Sequence, residues 1–209
     1  MRIAVLLYPE FTTLDAVGPY EVLSRIPGAE VVFTAAERGP VRNDMSSLAL
    51  TADAALDEVD SADLLLVPGG PGTNAQLADE ALLDWVRRVD ATTTWTTSVC
   101  SGSLLLGAAG LLEGRRATSH WCCLDELSRF GAEPTGAERV VVDGKYATAA
   151  GVSAGIDLAL TLTGRLAGDT TAQAIQLLIE YDPQPPYGAG SLAKASPEVA
   201  AEANVLLFG

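Results

Sequence analysis

Apolar positions along this chain fall into blocks of two kinds, short unbroken runs and longer stretches with helical spacing. Residues 2–8 form a nearly continuous apolar run stopped by Pro9, the pattern of a strand covered on both faces. Residues 14–26 follow with helical spacing at Leu14, Val17, Val22, Leu23 and Ile26, and Gly18-Pro19 is expected to break or restart the first turn. A second strand is expected over 30–36, a polar loop with Gly and Pro over 37–47, and a short strand over 48–52. Residues 63–67 form a third buried strand, ended by Pro68-Gly69-Gly70-Pro71-Gly72. The pattern then predicts a helix over 80–89, a β-branched strand over 92–97, and an apolar small-residue helix over 103–111.

Beyond it, a short strand is expected over 115–118 and a helix over 122–130. Segments 140–142 and 146–149 flank Asp143-Gly144, a strong hairpin signal. Helices are expected over 153–167 and 171–179, then a Pro-rich extended segment over 181–190. The last helix spans 196–207, with Ser196 as N-cap and Pro197 in its first position. Alternation of this kind implies one α/β domain over 1–209, a mostly parallel sheet with helices on both faces. Ligands in such sheets lie beyond the carboxyl ends of the strands. Three loops should meet there, after Tyr8, after Val67 and after Thr97.

Charge narrows the possible partners. The 209 residues carry 13 Lys plus Arg against 27 Asp plus Glu, a formal net charge of −14. Such a chain repels phosphate backbones and anionic lipid, so neither nucleic acid nor a membrane is expected as partner. No apolar run approaches the roughly 18 residues of a membrane span. Cys100, Cys122 and Cys123 do not make a disulfide framework, because the adjacent pair closes only a strained ring. A reducing cytoplasm is therefore the expected compartment.

Chemistry concentrates in the three loops. Ser98-Val99-Cys100-Ser101-Gly102, between a strand and a helix, has the small-x-nucleophile-x-Gly form of a nucleophile elbow with cysteine in the central place. Amides at the start of the following helix are expected to favour the thiolate. A buried packing cysteine is the plainer reading. Gly70 and Gly72 offer backbone amides that, with that of Ser101, would make an oxyanion-type site; a simple strand-to-helix turn competes with that reading. Asp15 follows the first strand, and beside a thiolate its carboxyl group would hold a proton near neutral pH. Glu21 is its rival. His120, the single histidine, is expected to line the pocket more readily than to form a dyad with Cys100. One histidine and no spaced ligand cluster make a metal site improbable.

With these residues in place the chain resembles the PfpI-type branch of the class I glutamine-amidotransferase-like superfamily, and within it the isonitrile hydratases. The marks are Tyr8-Pro9-Glu10-Phe11, Leu14-Asp15, Gly18-Pro19, Val67-Pro68-Gly69-Gly70, the elbow with Ser103, and Gly107-Ala108-Ala109-Gly110-Leu111-Leu112. Thr118-Ser119-His120-Trp121, Ala154-Gly155-Ile156-Asp157 and Glu180-Tyr181-Asp182-Pro183-Gln184-Pro185-Pro186-Tyr187 complete them. The resemblance implies a flavodoxin-like three-layer sandwich, a homodimer, and neither metal nor organic cofactor. It implies a nucleophilic Cys100 with Asp15 as acidic partner, Ser101 assisting where relatives commonly carry threonine, and hydration of an isonitrile to a formamide. Histidine stands at the Ser101 position in PfpI-type proteases, so that activity is disfavoured. Three alternatives stay open. The domain also forms the ligand-sensing half of AraC-type regulators, although no basic DNA-binding module follows here. A glyoxalase- or deglycase-type enzyme would use a first-helix glutamate such as Glu21. A redox sensor would oxidise Cys100.

Overall fold

The computed structural model describes residues 1–208 of the chain. One body spans Met1–Ile179, and a second, much smaller one begins at Glu180. In chain order the first contains β1 (Arg2–Leu6), α1 (Thr13–Leu23), β2 (Glu30–Ala35), β3 (Gly39–Arg42), β4 (Ala49–Ala52) and β5 (Ala54–Ala55). Then come β6 (Leu64–Val67), α2 (Thr73–Gln76), α3 (Glu80–Asp90), β7 (Trp95–Val99), α4 (Gly102–Ala108), β8 (Arg116–Ala117) and β9 (Glu133–Pro134). The hairpin β10 (Val140–Asp143) and β11 (Tyr146–Ala149) leads into α5 (Ala154–Ala167) and α6 (Asp169–Leu178).

The main sheet has seven strands in the order β10-β11-β7-β6-β1-β2-β5. Every neighbouring pair is parallel except β10 with β11. From β1 the chain steps one way to β2, and from β6 it steps the other way to β7. Right-handed crossovers in opposite directions put their helices on opposite faces, which makes three layers. Helices α1, α5 and α6 pack together, while α4 packs against α2, α3 and the 3-10 segment Leu124–Phe130. The strand order reverses between β1 and β6, so a crevice opens at their carboxyl ends.

The unbroken apolar runs became the central strands because both of their faces are covered. Ile3 through Leu6 and Leu64 through Val67 are each at most 1% exposed. Trp85, buried on α3, satisfies its indole N–H on the Val59 carbonyl at 2.8 Å.

Four local expectations are corrected. Helix α1 runs through Pro19 without a break. Packing on α5 overrides the local penalty: a Cβ on Gly155 would sit 2.9 Å from the Pro19 ring, so only glycine lets the two helices approach. The loop over 37–47 contains β3, antiparallel to β4. Pro40 is tolerated because this two-stranded ribbon has free edges. The strand expected over 92–97 begins at Trp95, since the Thr92 and Thr93 hydroxyls donate to the Val89 and Asp90 carbonyls and finish α3. The helix expected over 122–130 is a 3-10 helix from Leu124.

In the second body the Pro-rich stretch carries no regular structure, and α7 covers Pro197–Phe208. Ser196 caps it as expected, its Oγ accepting from the Val199 amide at 3.3 Å.

Candidate active site

Cys100 sits between β7 and α4 with φ +60°, a left-handed conformation that costs a non-glycine residue about 1–2 kcal/mol. Backbone bonds hold it there. Its amide donates to the Ala149 and Ala150 carbonyls, both at 3.1 Å. Its carbonyl accepts from Ser119 Oγ at 3.0 Å and Ser103 Oγ at 3.2 Å. Gly102 passes so close under β6 that a Cβ there would lie 2.2 Å from the Val67 carbonyl oxygen. The elbow expected from the sequence is therefore built, and its side chain faces the crevice at 7% exposure.

Asp15 lies in the first turn of α1 and is fully buried. The Gly69 amide donates to its Oδ2 at 2.9 Å. The Cys100 thiol and this carboxyl group influence each other's protonation, and the buried Oδ1 has no hydrogen-bond partner. Burial raises the Asp15 pKa to about 7, against the pull of Gly69, Cys100 and His120. Burial, then the Asp15 charge, push the Cys100 thiol well up, outweighing the Ser101 and Val152 amides that favour thiolate. The amides do act as expected, but they lose to desolvation. At neutral pH the thiol keeps its proton and the carboxyl group beside it is the one that titrates. Two such groups form one titrating pair.

The β3–β4 ribbon braces this arrangement. Glu10 N–H donates to the Arg42 carbonyl at 3.0 Å, Asp44 N–H to the Phe11 carbonyl at 3.0 Å, and Thr12 Oγ1 to Asp44 Oδ2 at 2.8 Å. The start of α1 is thereby pinned beside β6, where Thr12 N–H also donates to the Gly69 carbonyl at 2.8 Å.

The glycine amides are used differently from the sequence expectation. Gly70 N–H donates to Ser101 Oγ at 3.0 Å and Gly72 N–H to the Glu10 carbonyl at 3.2 Å. Neither amide is left uncommitted for a substrate oxyanion, because the loop folds back onto its neighbours instead of opening toward the crevice. What glycine provides here is close approach: a Cβ on Gly72 would lie 2.0 Å from the Pro9 carbonyl oxygen.

His120 is half-buried and electrostatically coupled to Asp15. Its Nδ1 lies 2.9 Å from Cys122 Sγ, and burial lowers its pKa. It borders the site, with its hydrogen bond directed at Cys122. Glu21 is exposed and paired with Arg25 at 2.7 Å, which removes it from the crevice. Two residues were missed in the sequence. Thr73 Oγ1 lies 2.8 Å from Ser101 Oγ and 3.0 Å from the buried Tyr8 hydroxyl. Threonine after a glycine turn gives no signal of its own, and Tyr8 read as the end of a strand and a family mark, with no role at the site. A groove of about 420 Å³ between α5 and α6, lined in part by Arg165 and Asp169, contains none of these residues.

The sequence model of the DJ-1/PfpI family matches residues 1–164. The chain belongs to the DJ-1/PfpI family. An isonitrile hydratase from Pseudomonas putida is 43% identical over 204 residues, 98% of this chain and 89% of that protein. A crystal structure of a ThiJ/PfpI family protein from Pseudomonas syringae superposes with TM-score 0.94 at 42% identity, covering 98% of this chain and 85% of the other. The transcriptional regulator CdhR of Pseudomonas aeruginosa is 31% identical over 173 residues, 80% of this chain but 51% of the regulator. DJ-1/PfpI membership and the flavodoxin-like sandwich thus agree with the resemblance read from the motifs. Among the described residues, no His, Cys, Asp or Glu cluster has metal-binding geometry, and no helix is long and apolar enough to cross a membrane.

The three thiols of this DJ-1/PfpI protein differ in exposure and in partners. Cys122 is exposed, touches His120, and has its pKa lowered, first by the neighbouring Cys123 thiol. Brief alkylation at pH 7 followed by peptide mapping should label Cys122 before Cys100. First labelling at Cys100 would show that the crevice activates the resting thiol despite its burial.

Proposed function

We propose that this protein hydrates isonitriles to N-substituted formamides, with Cys100 as nucleophile, Asp15 as proton carrier and Ser101 assisting. The observation that carries the reading is the Cys100–Asp15 pair: a soft nucleophile and a buried carboxyl group with pKa about 7 share one crevice. The 43% identity to the Pseudomonas putida isonitrile hydratase over nearly the whole chain supports the same substrate class.

Chemistry follows from the pair. The thiol of Cys100 transfers its proton to the Asp15 carboxylate as sulfur attacks the terminal isonitrile carbon. Asp15 returns that proton to the same carbon, leaving a neutral thioimidate, R–N=CH–S–Cys100. Water adds to the imidate carbon, giving up one proton through Asp15 to nitrogen. The tetrahedral species then collapses, the C–S bond breaks, and the formamide leaves while sulfur regains its proton. One difficult addition becomes two easier ones, each needing a group that both takes and gives a proton near neutral pH.

Exposure separates this reading from a deglycase that would draw its acid from Glu21, since Glu21 faces solvent in an ion pair. Purified protein incubated with one aromatic and one aliphatic isonitrile should release the formamides, and Cys100→Ala should release none. Turnover of methylglyoxal with no formamide from either isonitrile would reject hydration in favour of deglycase chemistry.

We further propose a homodimer working in a reducing cytoplasm. Three free thiols fit that compartment. Leu14, Met45 and Leu48 are exposed apolar side chains on segments joined by the Thr12–Asp44 hydrogen bond, and we take them as surface for a second copy. Sedimentation at micromolar concentration should give twice the 21.7 kDa chain mass; a monomer would reject the dimer.

A further inference from the structure

Ser101 occupies the N-cap position of α4, yet its hydroxyl makes no capping bond there. It reaches instead to the loop after β6. Gly70 N–H donates to Ser101 Oγ at 3.0 Å, and Thr73 Oγ1 lies 2.8 Å from the same atom. Thr73 Oγ1 is also 3.0 Å from the Tyr8 hydroxyl, which donates to the Pro68 carbonyl at 2.7 Å. Thr73 and Tyr8 are buried, at 1% and 2% exposure, so solvent protons do not enter the chain of contacts.

Counting protons fixes its direction. A carbonyl only accepts, so the single phenolic proton of Tyr8 goes to Pro68. Tyr8 oxygen must then accept from Thr73, which commits the one Thr73 proton. Thr73 oxygen in turn accepts the Ser101 proton. The rival acceptor for that proton, the Gly70 carbonyl, is farther away at 3.3 Å. Gly70 N–H fills one Ser101 lone pair and leaves the other uncommitted. Reversing the chain would leave a buried hydroxyl contact with no proton in it, a costly state.

We propose that Thr73 and Tyr8 are positioning residues that hold the Ser101 hydroxyl as a hydrogen-bond acceptor, so that it orients the water attacking the Cys100-bound thioimidate. The inference rests on the hydratase reading and assigns Ser101 to the second half-reaction. Thiol attack needs no acceptor at Ser101. Water addition does: one water proton leaves through Asp15 for the imidate nitrogen, the C–O bond forms, and the remaining O–H points at Ser101 oxygen.

Thr73→Val and Tyr8→Phe keep shape and break the chain, while Thr73→Ser keeps the relaying hydroxyl. With an aromatic isonitrile, kcat of Thr73→Val and of Tyr8→Phe should fall about tenfold, the scale of one hydrogen bond, with KM little changed. Intact-mass measurement should show the isonitrile adduct accumulating on Cys100 in both. Thr73→Ser should restore turnover, and Thr73→Val combined with Ser101→Ala should be no slower than Ser101→Ala alone. Melting temperatures identify any variant that is merely unfolded, and Tyr8→Phe carries the test if Thr73→Val does not fold. Unchanged kcat, adduct formation slowed in step with turnover, or failure of Thr73→Ser to rescue would overturn the proposal. Absence of formamide with the unsubstituted protein would overturn the hydratase reading itself, before any variant is compared.

Discussion

Asp15→Asn should lose activity and gain stability together. Asparagine fits the same buried space but carries no exchangeable acid, so isonitrile turnover should fall by about 10²–10⁴-fold, the usual worth of a positioned proton carrier. Combining it with Cys100→Ala should cost nothing beyond Cys100→Ala, because the two groups act as one unit. Stability moves the other way. The folded-state pKa of Asp15 is about 7, raised by burial from an ordinary 3.8. Between those values the folded state binds a proton that the unfolded state releases. Ionisation of Asp15 therefore opposes folding increasingly as pH rises from about 4 to about 7, and above that range the full cost is about 4 kcal/mol. The amide side chain escapes that cost, so the variant should melt higher than the unsubstituted protein at pH 8, with the gap closing as pH falls toward 4. A gap that is absent at pH 8, or widest at acid pH, would show that Asp15 is not a buried acid with a raised pKa. The turnover assay and the melting series are independent, so either half can fail alone.

Gly102→Ala should disrupt both the fold and the elbow with a single methyl group. The added Cβ would lie 2.2 Å from the Val67 carbonyl oxygen and 2.7 Å from that of Pro68. Both obstacles are backbone, and Val67 is held in register with Ser98 of the next strand. Nothing flexible yields, so α4 must lift off the end of β6 and carry Cys100 with it. Overpacking of this kind should cost about 3 kcal/mol or more, a fall in melting temperature of roughly 6–12 °C for a chain this size. Turnover should drop by at least about 100-fold, because a displacement near 1 Å at the nucleophile suffices for that. Gly110→Ala is the control. Gly110 lies just past the end of α4, with φ +79°, but a Cβ there meets nothing within 4 Å. Only the left-handed backbone is strained, at about 1 kcal/mol, and turnover should hold. Equal effects of the two substitutions would mean that contact with β6 does not set the elbow.

Both predictions depend on residues that stand out in the sequence for different reasons. The elbow is legible because a left-handed nucleophile between a strand and a helix tolerates few neighbours, and Ser98-Val99-Cys100-Ser101-Gly102 meets that local demand by itself. The central strands are legible for a similar reason: runs such as 63–67 are apolar on both faces, which only a covered strand requires. The hairpin at Asp143-Gly144 and the Ser196 cap are set within a few residues of chain.

What the sequence left open was decided by contacts between distant segments. Pro19 looked like a helix break until α5, with Gly155 facing it, supplied the packing that keeps α1 whole. Asp15 was the expected acid along the chain, with Glu21 as its rival. Burial of one beneath Gly69 and solvation of the other beside Arg25 separated them. The thiol was expected to be a thiolate because amides at a helix start are a local feature, whereas the desolvation that outweighs them comes from the whole sandwich. The glycine amides of the loop after β6 are donors in any fold, but their acceptors, Asp15, Ser101 and the Glu10 carbonyl, arrive only when β1, β6 and β7 align. The roles of Thr73 and Tyr8 beside Ser101 gave no sequence signal for the same reason. Local patterns set the strands, the turns and the elbow that carries Cys100; proton positions depend on burial and on partners far along the chain, which exist only in the folded sheet.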